Sequence, residues 1–165
     1  MHIRCYQPED ESAVIDLWLK CNLVVPWNNP QRDIERKLKV NPELFLVGLL
    51  DGRIVASVMG GYEGHRGWIN YLAVDPDCRR RGLGREIMAA VEKKIHDLGA
   101  DKINLQVRMS NPEAVRFYEA IGYQVEELVN MGKRLEEAPP YDQSQPGQAY
   151  PGIESRHNIQ WRLCV

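Results

Sequence analysis

Trp68-Ile69-Asn70-Tyr71-Leu72-Ala73-Val74, followed by Asp75-Pro76-Asp77-Cys78-Arg79-Arg80-Arg81-Gly82-Leu83-Gly84, is the stretch whose reading decides the fold. Its first half, rich in aromatic and aliphatic residues, predicts a strand. Behind Gly84, the residues Ile87, Met88, Val91, Ile95 and Leu98 recur at helical spacing until Gly99, which is placed to end the helix. Lys102 to Val107 then alternates as a second strand. A strand–helix–strand unit of this size makes a right-handed parallel crossover. Its first turn brings a helix N-terminus to the carboxyl edge of the sheet, where unpaired N–H groups and the helix dipole favour an anion. Gly82 and Gly84 carry no Cβ, so a phosphate can come close to the backbone. Arg79, Arg80 and Arg81 add charged donors beside those amides. Alone, these residues would also suit a tight turn with a solvated charge run; between a strand and an amphipathic helix they predict a pyrophosphate site. A dinucleotide is disfavoured. The third fingerprint glycine is replaced by Ile87, and Gln106-Val107-Arg108 supplies no acid for a ribose.

Working outward, His2 to Cys5 predicts a short strand, and Pro8 to Cys21 a helix with Val14, Leu17, Trp18 and Cys21 on one face. Asn22 to Arg32 reads as a loop, and Asp33 as the cap of a short charged helix ending near Lys39. Leu44 to Leu50 and Arg53 to Tyr62 are β-rich runs joined at Asp51-Gly52, a hairpin signal. Gly64 to Gly67 forms another turn. Asn111-Pro112 predicts a cap with proline in the first helical turn, Ala114, Phe117, Tyr118 and Ile121 give that helix its stripe, and Gly122 ends it. Tyr123 to Lys133 reads as a closing strand or hairpin. The expected organisation is one domain over residues 1–136 and a Pro/Gly-containing tail over 137–165, with a short docking strand at 159–163.

The bulk properties narrow the field. The chain has 165 residues, 44% hydrophobic and 27% charged, the profile of one soluble globular domain. With 21 Lys and Arg against 23 Asp and Glu, the net charge of −2 gives no general attraction to nucleic acid or anionic membrane. No apolar run approaches a bilayer span, and the first residues carry no secretory pattern, so the cytoplasm is the expected compartment. Cys5, Cys21, Cys78 and Cys164 form no Cys-x-x-Cys pair and are expected as free thiols, and the four histidines have no metal-ligand spacing. No metal is expected. A Gly-x-Ser-x-Gly elbow and a P-loop are both missing from the sequence.

Two motifs in order, Arg79-Arg80-Arg81-Gly82-Leu83-Gly84 and Asn111-Pro112-Glu113-Ala114-Val115-Arg116-Phe117-Tyr118-Glu119-Ala120-Ile121-Gly122-Tyr123, resemble the GNAT superfamily of acyl-CoA-dependent N-acetyltransferases. The resemblance covers roughly residues 1–135. Pro26-Trp27-Asn28, Asp33 to Lys37 and Met59 to Gly67 further resemble its bacterial YpeA-type members. The fold this implies is α/β: a mixed, mostly antiparallel sheet flanked by helices, with a parallel strand pair splayed around the coenzyme. The acyl donor it implies is acetyl-CoA, and the acceptor a primary amine on a small molecule or a protein. By the same resemblance, the backbone of Leu72, Ala73 and Val74 would pair with the pantetheine arm. The amides of Arg80, Arg81, Gly82, Leu83, Gly84 and Arg85 would hold the pyrophosphate, with Arg79 opening the motif. Asn111 would touch the coenzyme arm, and Tyr118 would sit near its sulfur. The loop around Trp27 and the turn at Glu63 to Arg66 would shape acceptor choice. A monomer or a homodimer is implied.

The chemistry follows from that assignment. An amine attacks the thioester carbonyl, the N–H of Leu72 stabilises the growing oxyanion, and Tyr118 protonates the leaving thiolate. Members that acetylate protein N-termini often carry a glutamate where this sequence has Gln106, which cannot take a proton. Glu63 and His65 are then the remaining candidates for a base. Cys78 in the phosphate turn is not needed as a nucleophile, because transfer is direct. The reading that competes is a non-catalytic acyl-CoA-binding module in which Gln106 marks a lost base.

Overall fold

The computed structural model describes residues 1–25, 28–133 and 135. The loop at Trp27, Cys164 and the 137–165 tail with its 159–163 segment lie outside the described residues. Strand β1 is His2–Cys5 and helix α1 Glu11–Lys20, preceded by a 3-10 turn at Pro8–Asp10. Helix α2 is Pro30–Leu38, and β2 (Phe45–Leu50), β3 (Arg53–Tyr62) and β4 (Gly67–Val74) follow. Then come α3 (Leu83–Asp97), β5 (Ile103–Asn104) and α4 (Pro112–Ala120).

The sheet has five strands in the order β1-β2-β3-β4-β5. The first three pairings are antiparallel and β4–β5 is parallel, the two strands being joined by a crossover through α3. The β2–β3 hairpin turns at Asp51 (φ +49°) and Gly52 (φ +76°), two left-handed residues that match the twist of the strands. One core packs Ile87, Met88, Val91 and Ile95 of α3 and Ala114 and Tyr118 of α4 with Ile69, Leu72 and Val74. The other packs Val14, Leu17 and Trp18 of α1 and Ile34 of α2 with Phe45, Val47, Met59 and Ala73. Helix α3 lies close on the sheet because Gly67 has no side chain: a Cβ there would stand 2.5 Å from Ile95 Cγ2 and 2.8 Å from Ile103 Cγ1.

Three expectations are corrected. The cap of α2 is Asn29, whose Oδ1 accepts the N–H of Arg32 at 3.0 Å, with Pro30 opening the helix, so Asp33 lies within the first turn. Strand β5 does not reach Val107. It pairs only at Gly67–Ile103 and Trp68–Asn104, beyond which the two strands diverge and the ladder ends. Residues 123–133 form no strand, because the chain beyond Asn104 offers no paired edge to extend. Val125, Leu128, Val129 and Met131 are accordingly exposed. That segment is held by side chains instead, Lys102 to Glu126 and Gln106 Nε2 to Asn130 Oδ1 at 2.7 Å.

Candidate active site

Helix α3 starts at Gly82, which adopts φ +79° with open space where a Cβ would point. Its first helical bond is Glu86 N–H to Gly82 C=O at 3.0 Å, so the amides of Leu83, Gly84 and Arg85 have no partner within the helix. Unpartnered amides at a helix start can accept an anion. Arg80 (φ +59°) and Arg81 are exposed beside them. The neighbouring side chains have other work. Arg79 Nε donates to the Val74 carbonyl at 3.3 Å, turning back over the end of β4, and Arg85 Nη2 donates to Ala120 O at 3.0 Å at the end of α4. Asp75, buried at 2% exposure, accepts from Asp77 N–H at 3.0 Å and pairs with Lys20 at 3.5 Å. Gly84 answers a steric demand: a Cβ would meet the Phe117 ring at 3.1 Å. It lets α3 and α4 pack closely, and so sets α4 beside the turn.

Between the diverging strands lies a cleft of about 300 Å³ lined by Trp68, Ile69, Asn70 and Gln106. Leu72 and Tyr118 belong to one packed cluster on the α3–α4 side. Tyr118 is 2% exposed, with its ring edge-on to Phe117 at 5.2 Å and to Tyr123 at 5.5 Å. Asn111 caps α4, its Oδ1 accepting the Ala114 N–H at 3.1 Å. The turn carrying Glu63 is at the other end of β4. Glu63 Oε1 accepts the N–H of Arg66 within that turn at 2.6 Å. From Gly67 to Leu72 is five residues of strand, about 16 Å. The structure therefore brings Leu72, the α3 amides and Tyr118 to one end of the sheet and leaves Glu63 and His65 at the other.

The sequence gives no sign of the bulge in β4. Ala73 pairs with Ser57 and Asn70 with Met59, so Tyr71 and Leu72 together oppose Val58. Tyr71 takes φ +51°, a conformation that costs a bulky residue about 1–2 kcal/mol. The bulge shifts the alternation of the strand: Ile69, Leu72 and Val74 face α3 and α4, while Tyr71 and Ala73 pack on the α1–α2 side. The Tyr71 ring lies 4.2 Å from that of Trp18, whose Nε1 donates to Ser57 Oγ at 2.8 Å. Its hydroxyl donates to Asp33 Oδ2 at 2.6 Å and accepts from Asn28 Nδ2 at 3.1 Å. Burial pushes the Asp33 carboxyl above the usual carboxylate range, against the opposing pull of the Tyr71 hydrogen bond and of Arg36 and Arg32. Burial and the Asp33 charge together raise the Tyr71 phenol, which stays protonated. No glycine marks this bulge, so only the strand register reveals it.

Among the described residues no cluster of three or more His, Cys, Asp or Glu side chains could hold a metal ion, and no helix is long and apolar enough to cross a membrane. A mixed sheet with one parallel pair, flanked by helices, is the fold of known acetyltransferases. The profile of the Acetyltransferase (GNAT) family matches residues 12–123, and the chain belongs to that family. It is 47% identical over 135 residues to an acetyltransferase of Pectobacterium atrosepticum, covering 82% of this chain and 96% of that protein. Its fold is similar to Ard1 from Thermoplasma volcanium (TM-score 0.69, 28% identity, 76% of this chain and 83% of that one). It is also similar to Naa20 from Chaetomium thermophilum, solved with a bisubstrate analogue (TM-score 0.62, 27% identity, 76% and 72%). The chain is thus an acetyl-transferring protein of a family whose donor is acetyl-CoA.

Proposed function

We propose that this protein moves the acetyl group of acetyl-CoA to a primary amine by direct attack. The observation that carries the reading is the β4–β5 pair, joined at two positions and then open, with the free amides of α3 at the mouth of the opening. The amides of Leu83 to Arg85, with Arg80 and Arg81 at hand, take the pyrophosphate. The open edge of β4 at Leu72 to Val74 takes the pantetheine arm as a further strand would, and Asn111 borders it. The amine nitrogen bonds to the thioester carbon, and the Leu72 N–H steadies the oxyanion, a contribution worth about 3 kcal/mol for one donor in a dry site. The carbon–sulfur bond then breaks and Tyr118 gives its proton to the thiolate. The nitrogen's surplus proton, relayed through solvent, restores Tyr118. Gln106 has no basicity to offer, so the amine reacts in its neutral form, and rates should climb with pH towards the amine's own pKa.

The test is release of free CoA from acetyl-CoA in the presence of simple primary amines such as 1,4-diaminobutane, lysine and glycinamide. Turnover is expected, with Tyr118→Phe lowering kcat by about 100-fold and leaving the KM for acetyl-CoA unchanged. Binding of acetyl-CoA with no amine-dependent release under any condition would favour the non-catalytic module.

A further inference from the structure

The oxyanion donor sits next to a residue in a conformation its own side chain disfavours, and something must hold it there. Tyr71 is gripped at both ends. Its ring lies tilted against that of Trp18 of α1, and its hydroxyl is fixed between Asp33 of α2 and Asn28 in the connection between the two helices. Trp18 is in turn anchored on β3 through Ser57 Oγ, which lies 3.5 Å from the Tyr71 carbonyl oxygen. Three separate segments therefore meet on one strained residue, and the next residue along is Leu72.

We propose that Asp33, with Asn28 and Trp18, is a positioning residue for acetyl transfer: by clamping Tyr71 it sets the direction of the Leu72 N–H. The proposal rests on the reading of Leu72 as the oxyanion donor. A bulge takes main-chain groups out of the ladder, and the angle at which they leave follows the φ of the bulged residue. If the hydroxyl grip is lost, Tyr71 relaxes towards an extended conformation and the two-against-one pairing at Val58 loosens. The Leu72 N–H then moves off the oxyanion. An error of about 1 Å in such a donor is worth up to about 100-fold in rate. The α3 amides and Arg80 are untouched, so the pyrophosphate grip stays, and the larger share of the loss falls on kcat rather than on acetyl-CoA binding. The clamp is also a link between the acceptor side and the chemistry. An acceptor that presses on α1 or α2 acts on the oxyanion donor through the Tyr71 side chain.

The experiment compares wild type with Tyr71→Phe, Asp33→Ala and Asp33→Asn. Each is assayed for CoA release with the three amines and with water alone as acceptor, and for the melting shift given by acetyl-CoA. Tyr71→Phe and Asp33→Ala are expected to lower kcat by about 10- to 100-fold, with a much smaller change in KM for acetyl-CoA and a melting shift that persists. Asp33→Asn keeps an oxygen to accept from Tyr71 and should recover most of the rate. Unchanged kcat in Tyr71→Phe and Asp33→Ala overturns the proposal. So does a loss confined to thermal stability, or equal damage from Asp33→Asn and Asp33→Ala. A wild-type protein that takes acetyl-CoA without releasing CoA to any acceptor removes the parent reading, and the clamp then has no donor to aim.

Discussion

The two faces of β4 are built in different ways. On the α3–α4 side, from Val74 to Arg85 with the start of α4, main-chain groups are on offer: the amides after Gly82 and the edge of β4 beyond its pairing with β5. On the α1–α2 side, Tyr71 is surrounded by side chains brought together over long sequence distances, Trp18 with Ser57 and Asp33 with Tyr71. Main-chain sites impose their geometry on the local sequence, so glycine and cap residues give them away. Side-chain sites leave only an aspartate here and a tyrosine there. The α3–α4 side is therefore legible in the order of the residues, and the α1–α2 side is not.

Two substitutions sharpen the contrast. The larger effect is expected at the hinge of the opening. Gly67→Val would drive a branched side chain into Ile95 and Ile103, costing about 2–3 kcal/mol of stability and spreading the strands at one of their two paired positions. Chemical denaturation should give that loss along with a weaker acetyl-CoA effect. A wild-type melting curve would show instead that the β4–β5 junction is not set by close packing. The smaller effect is expected at the entrance to α1, where Arg4 grips Asp10 through two bonds at 2.6 and 2.8 Å. Asp10→Asn should cost about 2 kcal/mol at neutral pH.

The pH dependence of stability separates two aspartates on the α1 and α2 elements. Arg4 holds the Asp10 carboxyl below its ordinary 3.8. Its contribution is therefore complete above that value and lost as pH falls through the lower folded-state value, where wild type and Asp10→Asn should converge. Asp33 has the opposite sign. Burial raises its carboxyl, so its charge weakens the fold above the raised value, and protonation relieves that strain as pH falls towards 3.8. Carboxyl NMR titration would check both directions, and equal shifts would contradict the account.

The same dipeptide marks the limit of what the sequence discloses. Asn111-Pro112 reads as a cap and a helix start, and Asn111 caps α4 through Oδ1. Asn29-Pro30 does the same for α2 yet reads as loop, because the helix it opens carries only Ile34 as a fully buried aliphatic residue. The apolar periodicity that announces α3 is missing there. The hairpin at Asp51-Gly52 and the turn at Gly82 are legible because each needs φ above zero and advertises it by residue type. Tyr71 takes a positive φ too and advertises nothing, since an aromatic residue inside a β-rich run reads as plain strand. The strand expected at 123–133 has the composition but not the partner. A strand is a pairing, and β5 stops at Asn104.

The most direct measurement is thermal unfolding of wild type and Gly82→Asp with acetyl-CoA, CoA, ATP or NAD at matched concentrations. Ligand at 100 times its dissociation constant stabilises a fold by about 2.7 kcal/mol. In a domain of this size that raises the melting temperature by roughly 5–10 °C. Acetyl-CoA and CoA are expected to give this shift, and the negative charge of Gly82→Asp beside the α3 amides is expected to abolish it. A shift with ATP or NAD but not with CoA, or an undiminished CoA shift in Gly82→Asp, would contradict that expectation.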